Sequence, residues 1–250
     1  ELVRSRFPEV RLLPVPASTT IPEMRHLAFQ EARADAVAVI EDHVIVPPEW
    51  GRKLLDGLAA GHDVVGGPIA NAADQRLLDW STFLCEYSAC LPPLPEGAAN
   101  WLPGNNIVYR RALLERFREV TAEGKWENRL HDAMRAEGIT LYCDASLIVG
   151  HKKHFGFVEY ISQRYLYSRS YAGARVAGAP TARRLAMGAA ALALPPLLLL
   201  RILRGNLAKG VPRGLVVTTT PFHLVYVSAW AVGEIVGYWF GPGDSLAKVR

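Results

Sequence analysis

Two long apolar blocks, both in the last third of the chain, limit what it can fold into. Leu185 to Leu200 runs for sixteen residues without a charge, and Pro221 to Phe240 carries one acid, Glu234. Such a chain divides into a polar front that can enclose its own core and an apolar back that needs that core, or lipid, to cover it. At ~1.5 Å per residue the first block reaches only about 24 Å, short of a ~30 Å hydrocarbon core unless flanking arginines snorkel. It is also interrupted by Pro195-Pro196. The second block is long enough to span, with Phe222 near one end and Tyr238-Trp239-Phe240 as interface anchors at the other. Glu234 is costly in lipid and should face a partner helix or a cavity. The expectation is a re-entrant first block and one true span, against the alternative of two buried core helices.

The net charge of +4 is modest, and its basic residues gather between Lys152 and Arg213. That placement fits an anionic membrane surface better than nucleic acid, and no nucleic-acid partner is expected. Cys85, Cys90 and Cys143 are odd in number and lack Cys-x-x-Cys spacing, which argues against a disulfide framework or a zinc knuckle and for a reducing compartment. The globular part is therefore expected to be cytoplasmic, on the inner or plasma membrane.

The front reads as alternating helices and strands, which predicts an open, mostly parallel sheet. A helix end at Leu2–Phe7 leads to a strand at Val10–Val15, a helix at Glu23–Arg33 and a strand at Val37–Ile40. A helix at Trp50–Ala60 and a strand at Asp63–Pro68 follow. Asn71–Ser88 is expected to be helical, and Leu91–Gly97 to be a loop over one end of the sheet. Trp126, Leu130 and Met134 share one face of a helix stopped by Gly138. Phe157 onward reads as a basic, aromatic-rich interfacial helix.

The chemistry gathers at Ala36-Val-Ala-Val-Ile-Glu-Asp-His43. A short β-branched run ends in Glu41, Asp42 and His43, groups that bind a hard or borderline cation. The carboxyl end of a buried strand is where open α/β sheets place ligands.

Further on come Trp101-Leu-Pro-Gly-Asn-Asn106, Trp126-Glu127 followed by Leu130 and Gly138, and Val149-Gly-His151. In this order the set resembles the GT-A catalytic domain of inverting family 2 glycosyltransferases, over roughly residues 1–180. The acid-x-His form of the first motif is similar to that of the polypeptide N-acetylgalactosaminyltransferases, which also carry a Val-Gly-His metal ligand. The resemblance implies that Glu41, His43 and His151 surround Mn²⁺ or Mg²⁺, and that Glu127 is the catalytic base. It also implies that Trp101, Gly104, Asn105 and Asn106 line the donor or acceptor pocket, and that Arg25 touches the donor diphosphate. Asp42 is expected to face the ribose or a neighbouring strand.

Residues 1–155 then form a GT-A-like catalytic domain, 156–184 an interfacial helix, and 185–250 a membrane-associated helical pair. The family opens with two strands and a nucleobase-binding Asp that have no counterpart after Glu1. The expected partners are a nucleotide-sugar donor, a lipid-linked or saccharide acceptor, and a membrane. The competing reading is a non-catalytic, membrane-anchored binding module of the same fold. A metallohydrolase is disfavoured for want of a His-Glu-x-x-His helix. Residue by residue, Glu127 has an alternative as a solvated helix glutamate paired with His131 at i+4, and His151 as a strand-end histidine.

Overall fold

Thr20 starts the first long helix with a reciprocal cap: its hydroxyl accepts from the Glu23 amide at 3.3 Å, and its own amide donates to Glu23 Oε2 at 2.7 Å. Pro22 sits in the first turn, where a missing N–H leaves nothing unpaired. The computed structural model, which describes residues 2–249, follows α1 (Leu2–Arg6) with this helix, α2 (Ile21–Glu31). Then come β1 (Ala36–Val39), β2 (Val44–Ile45), α3 (Trp50–Ala59), β3 (Val64–Gly66), β4 (Ile69–Asn71) and α4 (Leu77–Glu86). The middle of the chain supplies β5 (Gly97–Ala99), β6 (Ile107–Arg110), α5 (Arg111–Arg116), α6 (Arg118–Ala122) and α7 (Glu127–Ala136). After β7 (Leu141–Cys143) and β8 (Val149–His151) the chain is helical: α8 (Phe157–Arg175), α9 (Thr181–Ala190), α10 (Leu194–Ala208) and α11 (Arg213–Phe240).

The architecture is α/β with two mixed sheets, ordered β1-β6-β3-β7-β5 and β2-β8-β4. Only β3–β7 and β4–β8 are parallel pairs; the other four are antiparallel. The mostly parallel sheet expected from the sequence is therefore corrected. The crossover logic holds locally, because β1 and β3 run the same way on either side of α3. What intervenes is β6, which inserts between them and pairs antiparallel with both. Its partners lie far away in sequence, so no local pattern marks it as the middle strand.

The strand at Val10–Val15 is also corrected: among the described residues this stretch joins no sheet, it is almost entirely exposed, and it contains Pro14, which cannot donate to a ladder. Leu91–Gly97 is mostly irregular as expected, though Gly97 begins β5.

Side-chain alternation along the strands divides the core. Val64, Ile107 and Tyr109 face Leu114, Phe117, Leu130 and Met134 on one side of the large sheet. Val65 and Val108 face Leu54, Leu58 and Leu147 on the other. Val37 and Val39 of β1 pack on the first of these clusters together with Leu130 of α7, which sets the carboxyl end of β1 near α7.

Two helical stretches, Thr181–Ala208 and Arg213–Phe240, are long and apolar enough to cross a membrane. Only 17% and 33% of their apolar windows are buried, too little for core helices. Pro195 and Pro196 fall in the first turn of α10, where proline is tolerated, and Ala191–Ala193 forms a 3₁₀ turn before it.

Candidate functional site

A turn closes immediately after β1, with the Val44 amide donating to the Glu41 carbonyl at 3.0 Å. The chain then enters β2, whose register with β8 sets Val44 opposite His151. The Lys152 amide donates to the His43 carbonyl at 2.8 Å, locking the two segments together. This pairing, between residues 108 positions apart, brings His43 Nε2 to 3.0 Å from His151 Nε2. Glu41 Oε2 lies 3.2 Å from His43 Nε2, and one ligand atom from each of the three groups falls within 4.8 Å of the others.

The donor set fits a divalent ion. Two donors in cis at ~2.1 Å from a metal stand about 3 Å apart, the separation found here. Asp42 Oδ1 is 2.9 Å from His43 Nδ1. A carboxylate there can hold the proton on that nitrogen, which would leave the Nε2 lone pair to an ion bound between the three groups in place of the proton shared with Glu41. One carboxylate with two imidazoles suits Mn²⁺ better than Mg²⁺, which prefers oxygen alone. Asp42 therefore orients an imidazole and faces no neighbouring strand.

Charge around the triad is tightly arranged. Burial pushes the Glu41 carboxyl up, but the His43 hydrogen bond, the Arg25 charge and the Asn105 amide prevail and hold it at about 2. The hydrogen bond to Glu41 raises His43 against the opposing effect of burial. Burial and the neighbouring His43 charge lower His151 to about 4.

Arg25 spans the site. Nη2 donates to Glu41 Oε1 at 2.9 Å and Nη1 to Glu127 Oε2 at 2.7 Å. Burial opposes its charge, but the Glu127 and Glu41 carboxylates outweigh that and hold it firmly cationic. Glu127 is the first residue of α7, where the helix dipole favours an anion. Its supposed partner His131 is turned into the core, with Nε2 2.8 Å from Tyr109 Oη, so the surface-pair alternative for Glu127 is removed.

Gly104 explains how these side chains fit. A Cβ there would stand 2.7 Å from Glu127 Cδ and 2.8 Å from Arg25 Nη1. Asn105 donates to Glu41 Oε2 at 3.0 Å, while its own Oδ1 is buried without a hydrogen-bond partner.

Asn106 is a correction. It is fully buried, accepts from Trp50 Nε1 at 2.9 Å and donates to the Pro68 and Leu147 carbonyls. It ties the large sheet to the small one and does not line the pocket. Trp101 does line it and remains 39% exposed.

Arg25, Glu41, His43, Trp101, Gly104, Asn105, Glu127 and His151 all border one cleft of about 820 Å³. Its far wall was not legible from sequence. Glu86 ends α4 and Tyr87 follows it, Arg164 and Tyr167 come from α8, and Trp230 from α11. Trp126 stacks on Tyr167 with ring centres 4.6 Å apart, and the Arg164 guanidinium lies 4.3 Å over Trp230. Arg164 Nε is buried with no hydrogen-bond partner.

No protein-family model matches this chain, and none of the curated proteins matches it.

Proposed function

We propose that the protein is a metal-dependent, inverting glycosyltransferase of GT-A type that moves a sugar from a nucleotide-sugar donor to a lipid-linked or saccharide acceptor. The observation that carries this reading is the cleft itself. A carboxylate–bis-imidazole cluster and a helix-start carboxylate face one space through a shared arginine. The motif order in the sequence supports it independently.

Glu41, His43 and His151 would hold the ion, Mn²⁺ or Mg²⁺, which when bound supplies a Lewis acid for the leaving diphosphate. Arg25 adds a cation beside it. In the free protein this guanidinium is divided between Glu41 and Glu127; an incoming diphosphate competes for it and releases Glu127. The freed carboxylate accepts the acceptor hydroxyl's proton on the face of the sugar opposite the leaving group, which gives inversion. Trp101, Asn105 and the aromatic wall of Trp126 and Tyr167 supply stacking surface and amide contacts for sugars. Arg164 and Lys153 place further positive charge in the same cleft.

Membrane attachment through the two apolar helices is part of the proposal, with the catalytic body on the cytoplasmic side. All three cysteines are free and buried, as suits a reducing compartment.

The decisive contrast is with a binding module that has kept the fold. Nucleotide-sugar binding and turnover are measured separately on the intact protein and on Glu127→Gln. A transferase loses turnover in the variant while donor affinity is kept or raised, because a neutral glutamine there competes less for Arg25. Binding with no turnover in either protein assigns the chain to the binding-module class.

A further inference from the structure

The two apolar helices do not project away from the globular body. The first half of α11 packs on α4: His223 Nε2 lies 3.0 Å from the Ser81 carbonyl, and Tyr226 Oη is 3.1 Å from Ser81 Oγ. The second half lies along α8 so closely that only glycine fits at two positions. A Cβ at Gly233 would stand 1.9 Å from Ser168 Oγ, and one at Gly237 2.5 Å from the Arg169 carbonyl. Arg169 in turn donates to the Gly241 carbonyl at 3.3 Å.

Between these halves Trp230 borders the cleft that contains Glu41 and Glu127. Trp230 Nε1 donates to Glu234 at 2.8 Å, and Arg175 of α8 lies 3.8 Å from that carboxylate. Glu234 is thus paired inside the protein and does not meet lipid.

This geometry constrains how a membrane can be met. Were α11 to cross a bilayer, its middle would carry the polar cleft to hydrocarbon depth, together with Arg164, Arg169 and Arg175 of α8. The α9–α10 arm fits no better, because its uncharged run between Arg184 and Arg201 covers only about 24 Å of a ~30 Å core.

What the hairpin does offer is an exposed apolar surface. Leu192 is 70% exposed, Val217 69% and Phe240 74%, with Leu197, Leu224 and Val232 also open. Exposed Arg183 stands toward one end of the α9–α10 arm, and exposed Arg201 and Arg204 toward the other. Apolar side chains rimmed by cations match an anionic phospholipid surface.

We propose that the hairpin lies in the plane of one leaflet of an anionic phospholipid membrane, attaching the protein from a single side without crossing. The leucines and valines enter the boundary between headgroups and acyl chains. The arginines meet lipid phosphates, and the cleft stays in water alongside. This replaces the re-entrant-plus-span topology read from the sequence. It rests only on the apolar helices facing lipid, so failure of the transferase chemistry leaves it standing.

The test uses single cysteines at exposed positions near the two ends of the α9–α10 arm, Ala177→Cys and Ala208→Cys, and just past α11, Asp244→Cys. Asp35→Cys on the globular body serves as reference. The native cysteines are buried, and wild type gives the background. Each full-length variant is added to preformed, sealed vesicles containing phosphatidylglycerol and treated with a membrane-impermeant maleimide before and after lysis. A flat hairpin labels at all four sites to the same extent before lysis. Protection of Ala177→Cys, Ala208→Cys or Asp244→Cys until lysis, with Asp35→Cys open, means a crossing helix and overturns the proposal. Absence of vesicle binding also overturns it. Arg201→Gln and Arg204→Gln should each weaken binding about five-fold on phosphatidylglycerol vesicles and much less on purely phosphatidylcholine ones. Equal effects on both lipids would contradict the assigned role of the arginines.

Discussion

His43 and His151 meet through their Nε2 atoms at 3.0 Å because the chain after β1 pairs with β8 in a register that sets Val44 against His151. Asp42 holds the other His43 nitrogen, so the contact presents lone pairs for a shared cation. His43→Ala and His151→Ala are expected to abolish tight Mn²⁺ binding, read by electron paramagnetic resonance of the free ion. Asp42→Asn should weaken it about 10–100-fold, the usual cost of losing a group that orients a ligand. Unchanged Mn²⁺ affinity in both histidine variants would place the ion elsewhere.

Gly104→Ala tests the support for Arg25 and Glu127. The added methyl meets the movable ends of those side chains, so the fold should survive with a small change in melting temperature. Turnover should fall by at least about tenfold as the pair is displaced, since small misplacements of catalytic groups are costly. A variant with full activity would show that the packing at Gly104 has no catalytic consequence.

Asn106 and Asn105 are adjacent, yet their variants should behave differently. Asn106→Ala removes three hydrogen bonds from a fully buried amide and should destabilise by about 3 kcal/mol, at roughly 1 kcal/mol per bond. Asn105→Ala should change stability less and metal affinity more, because its amide bonds to Glu41. Denaturant unfolding and Mn²⁺ titration on both proteins distinguish the roles, and a reversed pattern would contradict this assignment.

His131 gives the acid stability profile a definite sign. Burial lowers it from 6.5 to about 4, so the unfolded chain takes up the proton first. Above pH 6.5 its contribution is fully present; it is lost as pH falls through about 4, a change of ~3 kcal/mol at most. Unfolding free energy should drop over that interval in wild type and drop less in His131→Gln. Superimposable acid limbs would show that His131 is not the group responsible.

The readable and unreadable parts of the sequence differ in range. The strand ending in Glu41-Asp42-His43, the α7 face of Leu130 and Met134, and the helix beginning near Glu23 are local patterns, and the structure carries all three. Long-range pairing decided the remainder. Insertion of β6 between β1 and β3 turned a parallel reading into a mixed sheet. Asn106 looked like its neighbour in sequence but is consumed by Trp50, Pro68 and Leu147, residues that only the fold brings near. The aromatic wall of Tyr167 and Trp230 depends on α8 and α11 packing on each other, and close glycine contacts such as Gly233 against Ser168 leave no periodic signature.

The central claim is that one cleft combines the metal cluster and the Glu127 base to break a sugar–diphosphate bond. The most direct measurement is release of nucleoside diphosphate from a panel of nucleotide sugars by the intact protein, with and without Mn²⁺, alongside Glu127→Gln. The account predicts Mn²⁺-dependent release from at least one donor and a loss of about 10²–10⁴-fold in the variant, with donor affinity not reduced. Release that persists without metal, or at the wild-type rate in Glu127→Gln, would contradict it.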